Sequence, residues 1–316
     1  MSDESSRKTR CGTVALVGRP NVGKSTLLNA VLGQKLAATT HKPQTTRRAL
    51  RGVETRGDTQ IVFVDTPGLH TARGKLHAFM IEEAMSVARE VDVIAFVIEA
   101  VGKKGQPPSI HPADTAALAQ LERGGALSAP VVLVVNKIDT LGDKRALLPF
   151  LDAWHKTNRF AALIPISAQK NDGVSVLVDD LVARMPPGPF LFDKDAITDA
   201  PERDIAGELI REKVMIELRQ ELPYRAAVVV EEMDESRRAD EKKPLVRIAA
   251  VIHVERESQK AMVIGKSGQR IKAIGERSRK ELERLLGCQV MLELLVRVEA
   301  DWTLSEKGLA KVGYKH

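Results

Sequence analysis

Eight residues restrict what this chain can fold into more than any others: Gly18-Arg19-Pro20-Asn21-Val22-Gly23-Lys24-Ser25 satisfy G-x-x-x-x-G-K-[ST]. The phrase follows an apolar run, Gly12 to Val17, and opens a helical stretch, Thr26 to Leu32. In that strand–loop–helix setting, glycines let backbone N–H groups curl round a phosphate, and the helix N-terminus adds positive potential. Lys24 would then reach the β- and γ-phosphates, and the Ser25 hydroxyl would ligate Mg2+. Such a loop needs a sheet behind it. Apolar runs at Gln60–Val64, Val91–Ile98, Val131–Val135 and Ala162–Ile166 alternate with helical stretches. They predict an α/β domain with a mostly parallel sheet and helices on both faces. Ala49–Thr55 and Thr59–Val64 flank Arg56-Gly57-Asp58, so one strand is expected to be antiparallel.

Three further phrases narrow the nucleotide. Asp65-Thr66-Pro67-Gly68 ends the third strand; its carboxylate suits Mg2+ and the Gly68 N–H suits a γ-phosphate. Asn136-Lys137-Ile138-Asp139 follows Val131–Val135, and a carboxylate there can accept from the N1–H and N2–H2 of guanine, an arrangement adenine cannot match. Ser167-Ala168 follows the last run and offers a backbone N–H for the guanine O6. Each phrase is weak alone, but four in order at the carboxyl ends of strands specify a guanine-nucleotide site, spanning Gly18 to Thr26, Asp65 to Leu69, Asn136 to Asp139, and Ser167 with Ala168. Asn136 and Asp139 argue against an ATP-dependent kinase.

The second half is built differently. Met185-Pro-Pro-Gly-Pro-Phe190 interrupts regular structure, which marks a linker over 186–203 between a first domain, 11–185, and a second, 204–300. Asp204–Leu222 reads as a helix, Arg225–Glu231 and Leu245–Val254 as strands about a charged turn, Asp234–Lys243, and Val290–Val298 as the last strand. A short terminal helix, Ser305–Gly313, lies in the tail 301–316, and residues 1–10 are expected to be flexible. Charge decides the partner class. The whole chain carries +6, and Lys260 to Lys280 alone holds seven basic residues against Glu276, the same excess. Aromatics at 3% argue against a nucleic-acid surface built on stacked rings. The longest uncharged stretch, Gly124–Asn136, is too short to span a bilayer, and the polar N-terminus lacks a signal-peptide core, so the expected location is cytoplasmic.

The run Gly18 to Asn29, followed by Gln44-Thr-Thr-Arg47, resembles the P-loop GTPases and, within them, the Era family of ribosome-assembly GTPases, over nearly the whole chain. The resemblance implies that 44–47 is switch I, with a magnesium-binding hydroxyl from Thr45 or Thr46; Thr46 is favoured because related GTPases place the threonine directly before arginine. Leu69 stands where Ras-like proteins have a glutamine, and an apolar side chain cannot orient the attacking water. Asn21 is either a plain loop residue or, by resemblance to potassium-activated members, a K+ ligand that assists catalysis with Lys24, Thr46 and Gly68. Ile264-Gly265-Lys266-Ser267-Gly268, with Arg270, Ile271 and Lys272, looks like the G-x-x-G loop of a type II KH domain, which clamps the backbone of single-stranded RNA. The resemblance thus implies a monomeric GTP-hydrolysing switch that binds the 3′ end of small-subunit ribosomal RNA on a 30S-type particle. Weak association with the inner membrane surface is also implied. The competing reading is a peripheral membrane GTPase whose basic second domain binds acidic lipid, and the glycine pair of the loop discriminates against it.

Overall fold

The structure is a computed structural model and describes residues 9–70, 74–101, 108–218 and 222–314. It divides into two units. The first takes the chain to Lys35, Thr46–Thr71 and Met80–Asp199; the second takes Leu36–Thr45, Ala72–Phe79 and the chain from Ala200.

In the first unit the apolar runs become β1 (Arg10–Val17), β2 (Leu50–Arg56), β3 (Thr59–Asp65), β4 (Val93–Glu99), β5 (Val131–Asn136) and β6 (Ala162–Pro165). They lie in the order β2-β3-β1-β4-β5-β6, all parallel except β2, which turns back antiparallel on β3 through Gly57. The interior strands β4 and β5 are buried almost residue for residue, as a sheet covered on both faces requires. On one face Ile94, Phe96, Leu133 and Val135 pack with Ala84, Met85 and Ala88 of α2 (Lys75–Glu90), Leu118 and Leu121 of α3 (Pro112–Arg123), and Phe150 and Trp154 of α4 (Leu147–His155). The helices α1 (Lys24–Leu32) and α5 (Val174–Arg184) contact each other and β3. Parallel pairing puts the carboxyl ends of β1, β3, β4, β5 and β6 along one edge of the sheet, and the loops leaving those ends carry the candidate site.

Two boundaries differ from expectation. β1 begins at Arg10, inside the stretch expected to be flexible, because its guanidinium donates to the carbonyls of Met185 (2.7 Å) and Ala183 (3.1 Å); residues 1–8 lie outside the described residues. The stretch expected as a linker is held to the first unit as far as Thr198. Gly188 N–H donates to Thr9 O, Leu191 and Phe192 N–H groups to Gln60 Oε1, and Val53 N–H of edge strand β2 to Ile197 O. Its backbone thereby occupies part of an otherwise open sheet edge.

The second unit runs α6 (Glu202–Glu217), β7 (Ala227–Arg237), β8 (Leu245–Val254), α7 (Glu257–Ile264), α8 (Gln269–Leu286), β9 (Gln289–Val298) and α9 (Glu306–Lys311). Its sheet has the order β7-β8-β9, antiparallel then parallel. Val214, Ile252, Val254, Val263 and Ile274 join helices to sheet in one apolar cluster. The helix expected over Asp204–Leu222 stops at Glu217, and 219–221 lie outside the described residues. β7 extends to Arg237, so the charged turn is shorter than the sequence suggested. Asp234 pairs with Arg247 on β8, and two register shifts carry the ladder on past Val230. The segment Leu36–Thr45 belongs to this unit through α6: Thr39 N–H donates to Glu212 (2.8 Å), Lys42 to the carbonyls of Met215 and Leu218, and buried Arg211 to Thr45 O. Among the described residues no helix is long and apolar enough to cross a membrane.

Candidate functional site

The loop after β1 depends on two close approaches. Gly18 has φ 152°, and a Cβ there would sit 2.1 Å from Val97 O; Gly23 has φ 97°, and its Cβ would meet Asn136 Nδ2 at 2.3 Å. Any side chain at either place would push the loop off the sheet edge. Lys24, the first residue of α1, is buried, and its Nζ donates to Arg19 O (3.2 Å) and Gly18 O (3.3 Å). Burial lowers its pKa to about 8, against an opposing pull from Asp65 and with a further push from Arg19. An anion brought to the loop would favour the charged form again, the behaviour expected of a phosphate-binding lysine.

Asp65, at the end of β3, is fully buried. Its Oδ2 accepts from Ser25 Oγ (2.6 Å) and Thr46 Oγ1 (3.1 Å), and the two hydroxyls are 2.8 Å apart. Its Oδ1 is buried with no hydrogen-bond partner. Burial raises its pKa, with Lys24, Ser25 and Thr46 working the other way. Two hydroxyls and a carboxylate with an unsatisfied oxygen form the hard donor set that suits Mg2+. Thr45, the alternative, instead meets Thr40 Oγ1 (2.8 Å) and Lys42 O (2.9 Å) within its own loop.

The rest of the third phrase ties this loop to the first. Thr66 donates to Leu16 O (2.8 Å), Leu69 N–H to Gly18 O (3.0 Å), and a Cβ on Gly68 would lie 2.7 Å from the Pro20 backbone. Leu69 is 1% exposed and packs in the core, so its side chain contributes packing there.

Asn136, at the end of β5, acts as a latch between loops. Its Nδ2 donates to Val22 O (2.8 Å), and its Oδ1 accepts from the N–H groups of Lys137 (2.8 Å) and Ala168 (3.0 Å). Asp139 lies exposed and accepts from Ser167 Oγ at 2.5 Å. Ile138 beneath it is buried, which anchors the turn Ile138–Thr140. The backbone N–H expected to reach a guanine O6 is engaged otherwise: Ser167 N–H donates to Asp172 O and Ala168 N–H to Asn136. The reason is that the Asn136 amide and this loop saturate one another. Beside it a cleft of about 480 Å3 opens between Thr26, Asn29 and Lys35 of the first helix region and Ala168, Gln169 and Asn171.

Sequence reasoning missed the acids of this edge. Arg19 donates from Nε to Asp114 (2.8 Å) and from Nη2 to Glu99 (2.8 Å), and Lys137 reaches the other Glu99 oxygen and Asn21 O (2.6 Å). An available signal was that Glu99 closes β4 at the end of the sheet where ligands bind.

In the second unit α7 and α8 are joined through Gly265 (φ 74°), Ser267 (φ 50°) and Gly268 (φ 74°), all at positive φ, the last two in the left-handed conformation. A Cβ on Gly265 would lie 2.7 Å from Arg270 Cβ. Lys266, Ser267 and Lys272 are exposed, while Ile264 and Ile271 are half-buried. Arg270, expected to face a phosphate, donates back to Met262 O and braces the turn.

Residues 13–137 match the family model described as a 50S ribosome-binding GTPase, and 221–303 the KH domain. The chain is 46% identical over 305 residues to GTPase Era of Geobacter metallireducens, covering 96% of this chain and 98% of the relative. It is 43% identical to GTPase Era of Syntrophus aciditrophicus, covering 96% and 95%. Two solved structures superpose with a TM-score of 0.89 at 38% identity, covering 98% of this chain and 100% of theirs. One is a variant of Aquifex aeolicus Era bound to GDP·AlF4−; the other is Era in complex with MgGDPNP and nucleotides 1506–1542 of 16S ribosomal RNA.

Proposed function

The chain belongs to the Era family of GTPases, and from that premise we propose that it is a GTP-operated switch that holds single-stranded ribosomal RNA of the small subunit during its assembly. Hydrolysis of GTP to GDP and phosphate is the activity of the family. The observation that carries the reading to this chain is at Asp65, where an unpartnered buried oxygen stands beside the Ser25 and Thr46 hydroxyls. Ser25, Thr46 and Asp65 would hold Mg2+, which when bound neutralises charge on the β- and γ-phosphate oxygens. Lys24 and the N–H groups of the loop from Gly18 to Thr26 hold the phosphates. Asp139 selects guanine by accepting two hydrogen bonds from it, with Asn136 fixing the loops around it.

Because Leu69 is packed in the core, the attacking water needs another charge nearby. We assign that role to a potassium ion beside Asn21, which is exposed in the left-handed region (φ 65°) within the phosphate loop. For RNA, the turn from Gly265 to Gly268 offers close backbone approach, with Lys266 and Lys272 exposed for phosphates and Ile264 and Ile271 for bases. No observation favours the acidic-lipid alternative.

The reading is tested by metal removal. GTP turnover should fall by about a hundredfold or more on chelation of divalent cations and equally in Asp65→Asn, which keeps the shape and loses the charge. Undiminished turnover in either case would contradict it.

A further inference from the structure

Asn136 is one tie between the phosphate loop and the guanine loop, and a second runs in parallel with it through charge. Starting at α3, Asp114 (1% exposed) holds Arg19 Nε at 2.8 Å, and Arg19 Nη2 meets Glu99 Oε1 at 2.8 Å. The other Glu99 oxygen takes Lys137 Nζ, which also donates to Asn21 O at 2.6 Å. The path leaves the phosphate loop at Arg19 and returns to it at Asn21, two residues on. Glu99 is where the two cations meet.

We propose that Glu99 is a positioning residue for guanine-nucleotide binding: its carboxylate fixes Lys137 against the phosphate loop and, with Asp114, fixes Arg19 beneath it. The inference rests on the guanine-nucleotide reading above. Three features support it. Glu99 is only 18% exposed, so its bonds are shielded from the screening that weakens surface pairs. Burial alone would raise its pKa, but hydrogen bonds from Lys137 and Arg19 and their charges hold it below the usual carboxylate range, so it is ionised at neutral pH. Arg19 is only 13% exposed, and its guanidinium is shared between two carboxylates, each taken by a different nitrogen of one rigid planar fork. Arg19 thus serves as an internal counter-charge that sets the shape of the loop whose backbone holds the phosphates.

Release of a fluorescent GDP analogue, followed by stopped flow, tests this on the full chain. Glu99→Gln keeps the shape and removes the charge, and GDP release should quicken about tenfold, as loss of charge-assisted hydrogen bonds implies. Lys137→Ala should quicken it by at least as much. The double variant should exceed Lys137→Ala by clearly less than the full Glu99→Gln factor, because one arm of the effect of Glu99 passes through Lys137 and only the Arg19 arm remains to be lost. A merely structural role would instead multiply the two effects. Release from Glu99→Gln within about twofold of the parent, or a fully multiplicative double variant, would overturn the proposal while leaving the nucleotide reading intact. A parent that binds no guanine nucleotide would overturn both. Should Glu99→Gln fail to fold, Arg19→Lys carries the test: it keeps the charge but loses the rigid fork that meets the two acids from separate nitrogens, and release should again quicken several-fold, with unchanged release overturning the proposal.

Discussion

Asp139 lies exposed at the end of its turn, one oxygen bonded to Ser167, which leaves the carboxylate oriented before any base arrives. Asp139→Asn exchanges an acceptor for an amide, so nucleotide preference should move from guanine to xanthine. Competition between GTP and XTP measures it, and a variant that still prefers GTP removes Asp139 from this role. Lys24 makes a second prediction at this scale. Its pKa is near 8 in the nucleotide-free fold and 10.5 in the unfolded chain. Between those values the unfolded state binds more protons, so this group adds stability as pH rises from about 8 to about 10.5. Subtracting the thermal midpoint of Lys24→Met from that of the nucleotide-free parent across this range should give a difference that rises with pH. A flat difference would mean the lysine is not held in the lowered state. At this scale the sequence was legible where chemistry is local to a phrase. Thr46 could not be separated from Thr45, because the choice depends on which hydroxyl the fold brings to Asp65. The Asn136 latch and the Arg19–Glu99–Lys137 path were invisible, since their members lie far apart in the chain and meet only at the sheet edge.

Among elements, the phosphate loop is the one whose geometry depends most on its neighbours. It is tied through Val22 to β5, through Gly18 to the loop after β3, and through Arg19 to α3 and β4. With Asn21 O held by Lys137 as well, the loop presents its N–H groups already ordered, which is the condition for electrostatic catalysis. Leu69 leaves water unpositioned from the side where an amide would act, so GTP hydrolysis should run faster in potassium than in sodium at matched ionic strength. Equal rates would remove the cation from the mechanism. The strands of the first unit were legible because buried parallel strands are continuous apolar runs bounded by turns. β7 was not, because its outer half is a charge-rich stretch that reads as a turn, and only pairing with β8 extends it. The stretch from Pro186 read as a linker because Pro and Gly discourage regular structure, yet its remaining backbone groups still pair with Thr9, Gln60 and Val53. Composition does not report such bonds.

At the scale of the molecule, the chain combines a nucleotide site on the edge of one sheet with a basic turn between two helices of another unit. Within the second unit Thr39, Lys42 and Thr45 are bonded to α6 and the residue that ends it; within the first, Thr46 reaches Ser25 and Asp65. A GTP-operated switch of the kind proposed is expected to bind RNA differently with GDP and with GTP, because the two nucleotides bias its states. The most direct measurement of that claim is the affinity for a single-stranded RNA carrying the 3′ end of small-subunit ribosomal RNA, taken by fluorescence anisotropy at fixed salt with GDP and with a non-hydrolysable GTP analogue. The same titrations on Lys266→Asp/Ser267→Asp, a change of three charges that retains Gly265 and Gly268, locate the binding surface, with circular dichroism to confirm the fold. The account predicts affinities that differ by about fivefold or more between the two nucleotides, and a loss of orders of magnitude in the double variant at physiological salt. Equal affinity in both nucleotide states, together with undiminished binding by the folded variant, would contradict it.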